Sequence, residues 1–174
     1  RGAIGWMVGA EGRGVATIIE MVAMTRFDCM IGSSSIMRAA LVQAIDHCAQ
    51  RSAFGRLLID QPIMTNVLAD LALETEAALT LTMRIARALD DRANEAEANL
   101  IRIGSAIGKY WICKRTPGVA AEAMECIGGS GVMEDGPMPR HFRESPVNAI
   151  WEGSGNVQCL DVLRAMSKSP ETLD

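Results

Sequence analysis

Aromatic residues make up only 4% of the 174 residues, and proline occurs 6 times. So little aromatic and β-branched alternation disfavours a sandwich or barrel and points to helices. Histidine occurs twice, at His47 and His141. These two are too few and too far apart for a zinc site or a catalytic triad, so no metal site is expected. No P-loop is present, and no apolar run reaches the length of a membrane span. The N-terminus lacks the basic-then-apolar pattern of a secretory signal. A net charge of −4 argues against electrostatic nucleic-acid binding as the default. The cysteines at 29, 48, 113, 126 and 159 form no C-x-x-C pair. Their odd number and wide spacing suit packed, reduced thiols in a cytoplasmic compartment.

What is present is an apolar share of 49% with 11 methionines, enough to bury a core without staples. Residues 1–13 read as an extended lead-in with a Gly-rich turn, and a helix begins near Gly14. From there to about Arg51 no proline intervenes. Ile18, Met21, Val22, Ile36, Ala40, Leu41, Ala44, Ile45 and Cys48 recur at helical spacing. Phe54 to Gln61 reads as a loop, with Gly55 ending the first helix and Pro62 opening the second. That second helix, to about Asp90, carries Val67, Leu68, Leu71, Ala78, Leu79 and Ile85 on one side. A third runs from about Glu95 to Lys114 with Leu100, Ile103, Ile107, Tyr110 and Trp111 as its apolar residues. Pro117 is expected to kink or interrupt it. Gly128 and Gly129 end the helical pattern, the stretch to Ser154 reads as irregular, and a last helix spans about Asn156 to Met166. Long helices joined by short turns pack antiparallel, so the fold class is all-α, an up-and-down four-helix bundle over residues 14–174.

The chemistry concentrates between Gly128 and Asn156. Gly128-Gly129-Ser130-Gly131 permits close backbone approach by a ligand, although a helix cap explains such a run equally well. Arg140 and Arg143 could share a helical face, where ion pairing is the ordinary explanation. Trp151-Glu152-Gly153-Ser154-Gly155-Asn156 sets a carboxylate between a large aromatic and a flexible turn. In apolar surroundings such a carboxylate would suit a general base, although on these residues alone a solvated loop glutamate is the ordinary explanation. From composition alone, a ligand-free helical interaction module would lead.

Taken in order, the string Glu125-x-x-Gly128-Gly129-x-Gly131-Val132-x-x-Asp135-x-x-x-x-Arg140-x-x-x-Glu144 resembles the C-terminal signature of the acyl-CoA dehydrogenase family. Arg51-x-x-Phe54-Gly55 resembles its arginine-to-Phe-Gly segment, and Trp151-Glu152-Gly153-Ser154 its aromatic-Glu-Gly-Thr segment. The opening Val8-Gly9-Ala10-Glu11-Gly12-Arg13-Gly14 is similar to the stretch that leaves the family's β-domain. Within the family, Met24-Thr25-Arg26-Phe27-Asp28-Cys29 and Cys159-Leu160-Asp161-Val162-Leu163-Arg164 resemble the AidB-like, alkylation-response branch.

The resemblance implies a C-terminal helical domain of an FAD-dependent enzyme that desaturates acyl-CoA thioesters, with residues 1–13 leading in from a β-domain. It implies Glu152 as the catalytic base. Arg51, Phe54, Gly128, Gly129, Gly131, Ser154 and Asn156 would contact FAD, the glycines across a subunit interface. Arg26 would lie near the substrate. Homodimers or tetramers and electron-transfer flavoprotein as acceptor are implied with it. The AidB-like wording implies an alternative, a flavin-containing DNA-protection protein with vestigial dehydrogenase activity. Two positions depart from the family. Pro62 stands where glutamine is usual, with Gln61 one residue early, and Ala23 stands where many dehydrogenases carry an acidic residue that helps hold CoA.

Overall fold

The structure, a computed structural model, describes residues 2–168 and 170. The ends of the two expected segments, residue 1 and residues 169 and 171–174, lie outside them. Residues 2–8 form neither helix nor strand and are exposed. Helix α1 then runs unbroken over Gly14–Gln50. The Gly32-Ser33-Ser34-Ser35 run does not end it, because Ser33 and Ser34 are buried against neighbouring helices and Ser34 returns its hydroxyl to the Ile31 carbonyl at 3.0 Å.

The segment after α1 differs from the expected loop. Strands β1 (Ser52–Ala53) and β2 (Arg56–Leu57) pair antiparallel around Phe54 and Gly55. Both turn residues have positive φ, 54° and 83°, as in the mirror-image turns that match hairpin twist. Gly55 therefore serves the hairpin turn, and the helix has already ended at Gln50. A 3₁₀ turn over Leu58–Asp60 leads to α2, Pro62–Asp90, which starts on its proline.

Helix α3 spans Glu95–Ile127, capped by the Asn94 side chain on the Ala96 N–H at 3.0 Å. It passes through Pro117 without interruption. Thr116, Val119, Ala120 and Ala123 on either side are buried, and their tertiary packing outweighs the roughly 3 kcal/mol an interior proline costs. The buried face of α3 is also not the expected stripe. Ile107 and Tyr110 are exposed, while Gly104, Ser105, Ala106, Gly108, Lys109, Ile112 and Cys113 are inside. Small residues let the neighbours approach closely: a Cβ added at Gly108 would meet Met30 Cε at 2.5 Å.

Side-chain pairs give the helix directions. Ser33 contacts Cys113 and Cys48 contacts the Cys126 carbonyl, so α1 and α3 run parallel. Arg84 pairs with Glu97 and Glu74 with Arg115, so α2 runs opposite to α3. The stretch expected to be irregular holds three short helices, α4 (Gly129–Val132), α5 (Met138–Glu144) and α6 (Val147–Ile150). Helix α7, Gly155–Lys168, then returns antiparallel to α3, with Gly155 beside Tyr110 and Asp161 beside Arg102. The all-α, up-and-down bundle is thus formed by three long helices and a shorter fourth. Its core joins Met30, Met37, Leu41, Leu68, Ile85 and Ile112.

Four cysteines are buried and Cys159 is exposed, all as free thiols. Burial holds the Cys126 thiol up at about 11. No helix among the described residues is long and apolar enough to cross a membrane.

Candidate functional site

Helix α6 ends at Ile150, and the turn that follows carries Glu152 and Gly153 at φ 56° and 98° before α7 begins. Glycine adopts positive φ freely, but a glutamate there is strained by its Cβ. Such strain persists only where the surroundings over-determine it, and here they do. Trp151 Nε1 donates to Asn148 Oδ1 at 3.0 Å. The buried Gln158 donates from Nε2 to the carbonyls of Gly153 at 2.9 Å and Glu152 at 3.3 Å. Lys109 of α3 donates to three carbonyls of the same segment. The half-buried carboxylate itself accepts from Thr25 Oγ1 of α1, 2.9 Å from Glu152 Oε2.

Beside Thr25, Arg26 is aimed at α7 instead of at solvent. Its guanidinium meets Asp161 Oδ2 at 2.7 Å, and Arg102 adds bonds to the same carboxylate at 3.0 and 3.2 Å. Arg164 contacts Asp161 at 3.5 Å. Burial alone would push the Asp161 carboxyl up, but Arg102 and Arg26 more than compensate and hold it below the usual aspartate range. Arg26 Nε, in contrast, is buried with no partner. Ser154 and Asn156, just after the turn, are exposed.

The remaining sequence-derived residues form a second group. Arg51 lines a groove of about 340 Å³ with Gln43, Asp46, His47, Gln50 and Ile127, which brings it next to the Gly128 turn. Gly128 has φ 74° and caps α3, its N–H reaching the Met124 and Glu125 carbonyls. A Cβ at Gly128 or Gly129 would meet nothing within 4 Å, whereas one at Gly131 would lie 2.8 Å from the Met124 carbonyl. The first two glycines therefore present open backbone, and the third closes the packing beneath them. Phe54 is 99% exposed at the tip of its hairpin. Gln61 is committed internally, donating to the Ala53 carbonyl at 3.0 Å. Ala23 is exposed along a groove of about 560 Å³ with Met21, Met24, Arg92 and Ile101. Arg143 pairs with Glu134, the ordinary ion-pair explanation.

The two groups lie at different levels of the bundle. Thr25 and Arg51 are both on or at the end of α1, and 26 intervening steps at 1.5 Å separate them by about 39 Å. Sequence reading missed Lys109, Gln158, Asn148, Asp161 and Arg102. For Lys109 there was one signal, a lone basic residue between Gly104-x-x-x-Gly108 and Ile112-Cys113.

The three long helices, α1 and α3 parallel and α2 opposed to them, carry the anchored Glu152 turn at one level and the glycine turn at another. The family description "Acyl-CoA dehydrogenase, C-terminal domain" matches residues 12–167, and the chain belongs to that family. Among its relatives, AidB of Escherichia coli K12 is 49% identical over 172 residues, covering 99% of this chain and 32% of that protein. The crystal structure of Caenorhabditis elegans ACDH-11 in complex with C11-CoA superposes with a TM-score of 0.87 at 34% identity, over 93% of this chain and 28% of that one. Butyryl-CoA dehydrogenase of Megasphaera elsdenii gives 0.81 at 28% identity, over 93% and 41%. The chain spans about a third of the length of the relatives it matches.

Proposed function

We propose that this chain supplies the catalytic base and part of the flavin surface of an FAD-dependent acyl-CoA dehydrogenase. The observation that carries the reading is Glu152, a carboxylate kept at a positive φ by bonds to both flanking carbonyls. Strain of that kind is retained where a side chain must be aimed. Glu152 would take a proton from the carbon α to the thioester carbonyl, with Thr25 orienting the carboxylate. The chemistry FAD would supply when bound is acceptance of the hydride from the β carbon. Ser154 and Asn156, exposed just beyond the base, would touch that flavin, and Arg26 would border the substrate. Its pairing with Asp161 makes it a wall of the pocket more than a free cation.

The residues at the other level fit a dinucleotide. Nothing at Gly128 or Gly129 would block close approach of a diphosphate, though the Gly128 N–H is spent on capping α3; Arg51 would supply charge, and the exposed Phe54 a ring for stacking. Because this group lies far along α1 from Glu152, it would serve the flavin of a second copy, in a homodimer or tetramer. Residues 1–13 would lead in from a β-domain. Electron-transfer flavoprotein would be the acceptor, in a cytoplasmic setting.

The test is flavin bleaching by a short or branched acyl-CoA in the full-length protein. Glu152→Gln is expected to abolish it, and full activity in that variant would refute the assignment. A second reading, DNA protection with vestigial turnover, is favoured by the 49% identity to AidB and by Ala23 in place of an acid. Salt-dependent DNA retardation without acyl-CoA turnover would decide for it.

A further inference from the structure

Lys109 belongs to none of the family segments recognised in the sequence, yet among the described residues it is the largest fully buried side chain, 1% exposed. Its Nζ lies 3.0 Å from the Asn148 carbonyl, 2.9 Å from that of Trp151 and 2.8 Å from that of Gly153. An ammonium has three N–H donors and no acceptor, so this cage uses it completely, and a neutral amine would leave one carbonyl unpaired. Burial pushes the lysine below its ordinary range, opposed by the fields of Cys113, Cys29 and Glu152. A hydrophobic side chain of the same volume would avoid that desolvation, so packing alone does not call for a lysine here.

Trp151 and Gly153 are the chain neighbours of Glu152. Tying both of their carbonyls to one buried cation of α3 restrains the Glu152 backbone from both sides. Gln158 adds weaker, neutral bonds at 2.9 and 3.3 Å from α7. Thr25 restrains the carboxylate itself. With Lys109 removed, the carbonyls of Trp151 and Asn148 would keep no side-chain donor, and the left-handed turn could relax.

We propose that Lys109 is the positioning residue of the candidate base, holding the Trp151–Gly153 turn so that the Glu152 carboxylate is presented beside Thr25. The inference rests on reading Glu152 as the base.

The test uses the full-length flavoprotein with an acyl-CoA that bleaches the wild-type flavin, such as butyryl-CoA. Lys109→Met fills the same space without donors. It is expected to slow flavin reduction about 100-fold, the scale of a 1 Å misplacement, while KM and flavin content stay near wild type. Lys109→Gln, which keeps two N–H donors, is expected to fall between the two. A wild-type reduction rate in Lys109→Met would overturn the proposal. So would loss of helical circular dichroism or of flavin in both variants, because Lys109 would then be a folding residue only. Glu152→Gln in parallel separates the two layers of the argument. If it stays active, the base assignment fails and the positioning role falls with it. If it is inactive while Lys109→Met is not, the positioning role alone fails.

Discussion

Replacing Glu152 by glycine and, separately, by alanine isolates the strain at the candidate base. Both substitutions remove the carboxylate and its bond from Thr25, so that loss cancels in the comparison. What remains is the backbone. An L residue in left-handed geometry costs about 1–2 kcal/mol, which alanine still bears and glycine does not. Glycine's greater freedom in the unfolded chain costs about 0.5–1 kcal/mol. The difference leaves Glu152→Gly more stable than Glu152→Ala by about 0.5–1 kcal/mol, which in a chain of this size is a Tm gap of roughly 1–4 °C. At an exposed interior position of α2 such as Glu76, the order should reverse, glycine being worse than alanine by about 1 kcal/mol. Urea unfolding of the four variants, followed by circular dichroism, measures both differences. If alanine matches or exceeds glycine at 152, the turn is not held in left-handed geometry and the argument for an anchored base is refuted.

Two further outcomes test other parts of the site. Asp161→Asn leaves Arg26, Arg102 and Arg164 facing a neutral amide and should cost about 2 kcal/mol at neutral pH, less than a fully buried pair because Arg102 and Arg164 remain partly in water. In the wild type the Asp161 carboxyl is held below its ordinary value of 3.8. Its contribution is therefore complete above that pH and fades as pH falls through the depressed folded value. Equilibrium unfolding between pH 7 and 2 should show the wild-type advantage shrinking only in that acid range, and a gap independent of pH would refute the pairing. Gly131→Ala would place a Cβ 2.8 Å from the Met124 carbonyl. Backbone cannot rotate away as a side chain can, so a loss of about 1–3 kcal/mol is expected in urea unfolding. An unchanged midpoint would contradict the packing assigned to that turn.

The long helices were legible because their limits are local chemistry. Pro62 opens α2, Asn94 caps α3 and Gly128 closes it, and each of these signals acts on its own neighbours. Where the sequence reading went astray, a distant partner had overruled a local preference. Pro117 lies within an unbroken helix because the residues around it are buried, and Gly55 serves a hairpin turn that needs two positive φ values. The apparent stripe of α3 failed for the same reason. Small residues and a lysine face the core because Met30 of α1 and the turn after α6 lie against them.

The candidate site divides along the same line. Residue identities and order alone pointed to Glu152, the glycines at 128, 129 and 131, and the Arg51–Phe54 pair, since a family resemblance is carried by sequence. The positive φ of Glu152, its bond from a threonine 127 positions away, and the capture of Arg26 by an aspartate 135 positions away leave no local trace. A lysine within a helix reads as a solvated residue until the fold surrounds it with three carbonyls. The composition and punctuation of the chain determined that it would be a helical bundle and where each long helix would begin, because helix signals act within a turn or two. Only the tertiary structure decided which side chains are anchored, strained or charged in the interior, because desolvation and long-range pairing exist only once the helices have met.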